Sequence, residues 1–353
     1  MKKLLILAIS LAFSAFEVFA QSASALASNA EAALDSSAAK INSGLEDFSK
    51  ELRNTVPNLG TTQNVYPDAF IGKIFPAIPP HFAVGANFGL AALNTEGLSD
   101  AADAIIDVMK DFGGLDIDMS VPSSIVLPTV TLDLRAGGFV LPFDFGITAM
   151  LSGIDAMKID ANDKSSYTNL GGNFSVGSFS GEVNFFTLGF DVRYALIEDG
   201  LLLPGLSVGA GYVVSKGAVS VSGSDSKTSS GVKNSVDSDL AAAYVTQTMY
   251  LQAQVSKKFF IITPFLGARM LLTWSDNAYS WNVNYTASVS GLSQSIARGS
   301  SDTITRGVSD FYLIPQLYFG TGVNLLFFQL SASAGYDLRD SLLFGALSLR
   351  FKL

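Results

Sequence analysis

The chain has 353 residues, of which 48% are apolar and only 15% charged, with a formal net charge of −9. An average soluble domain is about 25% charged. With a mean hydropathy of +0.36, the composition points to a membrane protein rather than an ordinary soluble enzyme. No cysteine is present, which excludes a disulfide framework, thiol catalysis, cysteine-ligated metal and cysteine lipidation. The acidic balance leaves no basic surface to neutralise phosphates, so no nucleic-acid partner is expected.

Lys2 and Lys3 precede an apolar run over 4–16, and Val18-Phe19-Ala20 supplies small or branched residues at a cleavage site. Residues 1–20 therefore read as an export signal removed after Ala20, too short in its apolar part to span a bilayer. Residues 21–80 read as a periplasmic or plug-like segment. Leu34, Ala38, Ile41, Leu45, Phe48 and Leu52 recur at spacings of three and four, which predicts an amphipathic helix ending near Asn54. Pro67, Pro76, Pro79 and Pro80 make 61–80 an extended connector.

From residue 81 the period switches to two. In 125–136, Val126, Val130, Leu132 and Leu134 face one way, and Thr129, Thr131, Asp133 and Arg135 the other. The same alternation predicts strands over 81–92, 125–136, 139–151, 183–196, 206–214, 243–256, 262–274, 311–321, 325–337 and 341–353. Their lengths suit tilted crossings of a bilayer, whereas a helical span needs about 20 consecutive apolar residues and the chain beyond the signal has none. The fold class is all-β: a transmembrane antiparallel up-and-down barrel over 81–353, preceded by the helix. About ten strands are expected, ten to fourteen if alternating stretches such as 279–289 add more.

The connections alternate in length. Those at 137–138, 197–203, 257–258 and 322–324 are short, while 93–124, 152–182, 216–242 and 275–310 are long. Outer-membrane barrels have short periplasmic turns and longer outer loops, so the short set is assigned to the periplasm. The connection at 338–340 is then a short outer loop, and an even strand count puts both termini in the periplasm. The Ser-rich stretch 220–239 reads as a mobile surface loop, 100–109 as a short helix in the first outer loop, and 160–163 as a solvated outer loop. Aromatics fall on the apolar parity near both ends of the strands. Phe82, Phe139, Tyr194, Phe260, Phe328 and Phe351 mark the periplasmic girdle, and Tyr212, Trp274, Phe311 and Tyr336 the outer one.

These features together resemble a bacterial outer-membrane β-barrel precursor, over residues 1–20 and 81–353. The last strand resembles the barrel-assembly signal, with Gly345, Leu347, Leu349, Phe351 and Leu353 at alternate positions. That signal usually ends in an aromatic residue, and here Leu353 is last. The resemblance implies a bacterial outer-membrane location, with the lipid of that membrane and the barrel-assembly machinery as partners. A helical segment ahead of apolar strands also resembles the long-chain fatty-acid transporter family, which has a short N-terminal plug and more strands than are counted here.

Charges cannot face lipid cheaply. The repeated units Asp133-Leu134-Arg135 and Asp191-Val192-Arg193, with Asp144 between them and Arg269 further along, therefore point into the lumen. They form either an ion-pair network that fills a narrow barrel or a charged constriction that sets ion preference. His81 is the lone histidine and has no nucleophile or carboxylate placed to work with it, so no enzymatic activity, metal or cofactor is expected. The leading functional reading is a channel or transporter for small solutes. One alternative is a surface interaction or adhesion barrel acting through its long outer loops. Another is a hydrophobic-solute transporter, with Phe185, Tyr244, Tyr250, Phe265 and Tyr318 as its binding wall.

Overall fold

Residues alternating between apolar and polar make strands with one face for lipid and one for an interior, and such strands are stable in a bilayer only when the sheet closes. The computed structural model describes residues 2–62, 64–71, 81–117, 119–138, 142–151, 173–176, 179–229, 231–289, 292–306 and 312–352. Its elements, in order, are α1 (Lys2–Thr62), β1 (His81–Asn94), α2 (Glu96–Gly113), β2 (Ser124–Gly137), β3 (Phe143–Leu151), β4 (Asn173–Val176), β5 (Phe179–Ile197), β6 (Gly205–Ser229), β7 (Val232–Ser256), β8 (Ile262–Val289), β9 (Leu292–Arg306), β10 (Tyr312–Leu325), β11 (Phe328–Asp337) and β12 (Leu343–Lys352).

Ten strands close a ring. Antiparallel pairing runs β1-β2-β3-β5-β6-β7-β8-β10-β11-β12, and β12 returns to β1 through Ala83↔Lys352 to Ala91↔Phe344. The lower half of β8 pairs with β10, from Tyr312↔Thr273 to Val323↔Ile262. Its upper half pairs instead with β9, from Ser275↔Arg306 to Val289↔Leu292. β4 is a short addition on β5. Outward positions are apolar and exposed, as at Leu132, Phe190, Leu251, Phe319 and Leu347. Inward positions are polar and buried, as at Thr131, Asp133, Arg193, Gln252 and Arg350. The chain is an outer-membrane-type β-barrel, and this apolar belt is its lipid face.

Two long connections are strands rather than loops. Residues 216–242 belong to the hairpin β6–β7, paired out to Ser229↔Val232, and 275–310 contain the hairpin β8–β9. The Ser-rich stretch 220–239 is therefore paired backbone on both sides of a tip. Serine and aspartate are poor strand formers by themselves. Here alternate residues of β7 and β8 are buried on a partner, including Val236, Leu240, Trp281, Val283 and Tyr285. That partner is helical. The largest apolar core lies beyond the barrel's long-hairpin end, where Leu34, Ile41, Leu45 and Phe48 of α1 and Leu98 and Ile105 of α2 meet the hairpins. Trp281 Nε1 donates to Asn42 Oδ1 at 2.8 Å, and Arg298 on β9 bonds Asp35 at 2.9 Å and pairs with Glu31. The stretch at 100–109 lies within α2, which packs on α1. A Cβ added at Gly44 would sit 2.6 Å from the Gly97 carbonyl, so this helix crossing needs glycine. α2 ends at Gly114, whose φ of 58° lets its N–H reach the Lys110 carbonyl.

Two further boundaries differ from the sequence expectation. α1 runs through Pro57 to Thr62 instead of stopping near Asn54. Proline removes one helical N–H, but Val56 and Leu59 continue the buried stripe, and the Asn58 and Thr61 side chains bond the Asn54 and Pro57 carbonyls in the last turns. The last short turn lies at Leu326-Phe327 rather than 322–324, because β10 and β11 stay paired to Leu325↔Phe328. An even count does place both ends of the strand ring at the short-turn end. The helix, however, sits at the opposite end: from there the chain descends through the lumen, and Ile71 reaches Asp144 near the short turns. Residues 160–163 lie outside the described residues.

Candidate functional site

The site is the lumen, and residues 58–71 occupy it. Their anchors come from almost every strand of the ring. Asn58 Nδ2 donates to Asp337 Oδ2 at 2.8 Å, and Gln316 donates to Asn58 Oδ1. The Thr61 carbonyl accepts from Arg269 Nη1 at 2.6 Å. Asn64 is the hub. Its side chain donates to Asp191 at 3.0 Å and to the Tyr250 hydroxyl, and accepts from Arg135 at 3.3 Å. Its carbonyl accepts from Arg193 at 3.1 Å and from Arg269 at 3.0 Å. Lower down, Gln254 reaches the Tyr66 carbonyl at 2.5 Å, and Gln329 and Lys352 hold Asp68, each at 2.9 Å. Ala69 bridges Ser207 and Ser256, and the Ile71 N–H meets Asp144 Oδ2 at 2.6 Å.

Tyr66 stands at the centre of the charge layer. The guanidinium carbons of Arg135, Arg193 and Arg350 lie 4.5, 4.9 and 3.5 Å from its ring centroid. Three cations around one aromatic face repel unless carboxylates interleave. Arg135 Nη2 lies between the two oxygens of Asp191 at 2.8 and 2.7 Å, Arg193 Nε lies 3.5 Å from Asp191, and Arg350 lies 3.2 Å from Asp133. Asn87 adds a donor to Asp133 at 3.0 Å. Arg269 stacks on Tyr250 and Tyr318 and bonds Gln252 at 3.1 Å. Burying a charge costs several kcal/mol unless it is paired, so the alternation of signs makes this buried layer tenable.

All six lumen charges singled out from the sequence (Asp133, Arg135, Asp144, Asp191, Arg193 and Arg269) are buried and face the interior. Arg135, Asp191, Arg193 and Arg269 converge on Asn64. Asp133 joins through Arg350, and Asp144 holds Ile71 instead. The girdle aromatics Phe82, Tyr194, Phe260, Phe328, Tyr336 and Phe351 are exposed on the lipid face, and Tyr212 and Trp274 are half-buried there. Phe139 and Phe311 lie outside the described residues. His81 opens β1 opposite Gly137, with Nε2 buried. Among the described residues no group of three or more His, Asp or Glu side chains is placed to hold a metal ion.

Asn58, Asn64, Tyr66, Asp68 and Arg350 escaped the sequence reading. Asn64, Tyr66 and Asp68 sit where a connector was expected, and Asn58 just before it. Arg350 lies on the inward parity of the last strand, which alternation alone marks. Tyr244, Tyr250, Phe265 and Tyr318 were expected to face the lumen; what the sequence reading missed is the glycine opposite each ring. Tyr250 lies directly opposite Gly211, Tyr244 opposite Gly217, Tyr318 opposite Gly267, Phe265 opposite Gly320, and Phe344 opposite Gly335. In each pair an added Cβ on the glycine would overlap the ring. The inward glycines are therefore seats for rings from the neighbouring strand, and Tyr250 and Tyr318 in turn back Arg269. Tyr244, with Phe185, Leu52, Val56 and Leu59, lines an enclosed apolar cavity of about 20 Å³ between α1 and the wall.

No protein-family model and no curated protein matches the chain. Among similar solved structures is a major outer membrane protein from Thermus thermophilus, at 10% identity and a TM-score of 0.26, covering 78% of this chain and 99% of that one. The CymD monoaromatic hydrocarbon channel is similar at 9% identity and a TM-score of 0.26, covering 83% and 91% of the two chains. The translocator domain of autotransporter NalP from Neisseria meningitidis is similar at 8% identity and a TM-score of 0.33, covering 77% and 88%. Overlaps this small carry no argument. The closed ring and its lipid-facing belt establish the barrel.

Proposed function

We propose that this protein is a bacterial outer-membrane channel for small solutes, closed at rest by its own N-terminal segment. The observation that carries the reading is how residues 58–71 are held. They make no strand pairing with the wall. Their anchors are side-chain hydrogen bonds, ring stacks, the Lys352–Asp68 ion pair and the packing of Val65 against Phe265, Tyr318 and Phe344. Such contacts contribute about 0.5–1.5 kcal/mol each, and about 1.5–3 where charged, so the segment can leave without unzipping the barrel. A ring of ten strands is narrow: eight only hold side chains, and sixteen or more leave an aqueous channel. Withdrawal of the segment would leave a narrow bore whose Asp191–Arg135 level is its charged constriction. The six lumen charges then have two roles, bracing the closed state and lining the open one. Residues 1–20 serve as the export signal and 21–80 as the plug and its connector, and insertion depends on the barrel-assembly machinery. No catalytic step is assigned to any residue.

The test is planar-bilayer conductance of refolded full-length protein beside Asn64→Ala with Tyr66→Ala. The reading expects rare, brief openings in the parent and a raised open fraction in the variant. Silence from both, with the variant still folded and the segment shown to be released by protease, would refute it.

The folded cap of α1, α2 and the two hairpins favours a second reading, a surface interaction barrel. Its apolar core is larger than anything inside the barrel. The two readings part on conductance, since a surface barrel conducts in neither form. A hydrophobic-solute path finds less support in the closed form. A cavity that takes benzene has about 150 Å³, against about 20 Å³ beside Tyr244 and Phe185.

A further inference from the structure

Three adjacent short turns at the periplasmic end carry large apolar side chains at their tips. Between β5 and β6 stand Leu201, Leu202 and Leu203; between β7 and β8, Phe259, Phe260 and Ile261; between β10 and β11, Leu326 and Phe327. Leu201, Phe260 and Leu326 are each more than nine-tenths exposed, at 96%, 92% and 97%. Residues this apolar at the tip of a tight turn bring no conformational gain. Phe260 and Leu326 even adopt positive φ, at 55° and 52°, where glycine or asparagine would be less strained. At the opposite end, the β6–β7 tip is Asp225, Ser226, Lys227, Thr228 and Ser229, as water demands.

The backbone beneath these tips is satisfied from within. The Lys257 ammonium lies under the first turn and donates to the carbonyls of Gly200, Leu201 (3.3 Å) and Leu203 (3.0 Å). Its charge is matched by Asp199 at 3.1 Å, whose other oxygen accepts from the Lys258 N–H at 2.8 Å. Phe259 and Ile262 exchange backbone bonds of 2.7 and 2.9 Å, the Ile261 carbonyl takes the Asn324 N–H at 2.7 Å, and the Phe327 carbonyl takes the Lys352 N–H at 2.8 Å. A turn facing water needs none of this, because water completes its carbonyls. A turn in hydrocarbon does, since an unmet carbonyl there costs several kcal/mol.

We propose that these three turns form a membrane-immersed ridge, with Leu201–Leu203, Phe259–Ile261 and Leu326–Phe327 seated among the phospholipid acyl chains of the periplasmic leaflet. Continuity with the barrel's lipid belt selects lipid as the occupant. Exposed Ile262, Leu325 and Phe328 lead from the wall to the second and third tips without a polar break, and Leu196 leads toward the first. Lys258 and Glu198 remain exposed beside the ridge and reach the headgroups. The barrel is thereby anchored more deeply on its β5–β10 side. The proposal rests on the membrane-spanning barrel and is independent of whether the lumen conducts.

The chain has no cysteine, so single probes can be placed without background. Full-length Leu202→Cys, Phe260→Cys and Leu326→Cys, each labelled with nitrobenzoxadiazole and reconstituted at one barrel per phospholipid nanodisc, are compared with Thr228→Cys at the outer tip. Heat-modifiable mobility checks that each is folded. The proposal expects blue-shifted emission at the three turns, loss of signal with acyl-chain nitroxide lipids, and little loss with iodide, with the reverse at Thr228. Iodide quenching without nitroxide quenching would place the turns in water and overturn it. Protection from both quenchers would mean that protein covers the ridge, which also overturns it. Three separate turns are probed, so a folding failure at one leaves the other two decisive.

Discussion

Arg135 and Asp191 offer the sharpest test of how the lumen is held. Both side chains are 1% exposed, and Arg135 Nη2 donates to both carboxylate oxygens, at 2.7 and 2.8 Å. Breaking a buried pair by removing one partner costs about 3–5 kcal/mol. For Arg135→Ala the low end applies, about 3 kcal/mol, because Asp191 keeps Arg193 at 3.5 Å and the Asn64 amide at 3.0 Å. For Asp191→Leu the high end applies, about 5 kcal/mol, because Arg135 and Arg193 are then left facing each other around Tyr66. The double variant removes the whole pair and leaves Arg193 with Gln254 and the Asn64 carbonyl, so it should cost less than the two singles together. The coupling should reach at least about 1.5 kcal/mol on the 0.5–3 kcal/mol scale of contacting residues. Reversible urea unfolding in detergent micelles, followed by tryptophan fluorescence, measures all four proteins. If roughly half of the Arg135→Ala loss falls on the plug-bound state, about 1.4 kcal/mol, the closed-to-open ratio drops about tenfold, readable as conductance. Coupling below about 0.5 kcal/mol would show that the pair is not a unit and would refute the bracing argument.

Three further expectations follow from the same geometry. Gly211→Val should destabilise the barrel by about 1–3 kcal/mol through overpacking against Tyr250, and Gly211→Val with Tyr250→Ala should recover part of that loss in the same urea assay; equal losses would mean the ring is not seated there. Leu132→Arg, on the lipid face midway along β2, should cost about 2–4 kcal/mol at the bilayer midplane, and an unchanged unfolding midpoint would mean the parity is reversed. Trypsin added to intact cells should cut next to Lys227 or Lys233, which flank the β6–β7 tip, and spare Lys257, held under its turn by Asp199 and the turn carbonyls. Peptide mapping that finds the opposite would invert the barrel in the membrane.

Period-two alternation is a local property, and it sufficed to locate all ten ring strands. Each strand meets lipid on one side whatever its neighbours do, so Leu132, Leu134 and Phe190 had to face out and Asp133, Arg135 and Asp191 in. Turn length belongs to the same class, because a tight reversal leaves no room for other structure. The plug is of a different kind. Beyond Thr62 the segment to Ile71 has no period, and Asn58, Asn64 and Tyr66 are matched to side chains far along the chain, Asp337 lying 279 residues from Asn58; no local pattern encodes a partner that distant. The helix continues past Pro57 because Val56 and Leu59 carry its buried stripe onward, which only the packed structure shows. The Ser-rich hairpins read as loops because their strand character depends on α1 lying across Val236, Leu240 and Trp281, a surface that exists only after the chain has folded. The inward glycines of β6, β8, β10 and β11 carry no local mark of their role. They became seats when register set Tyr250 against Gly211 and Tyr318 against Gly267. The sequence by itself determined which face of each strand meets lipid, because the bilayer imposes that residue by residue. The tertiary structure alone decided what fills the barrel, because a buried charge is stable only beside its particular opposite.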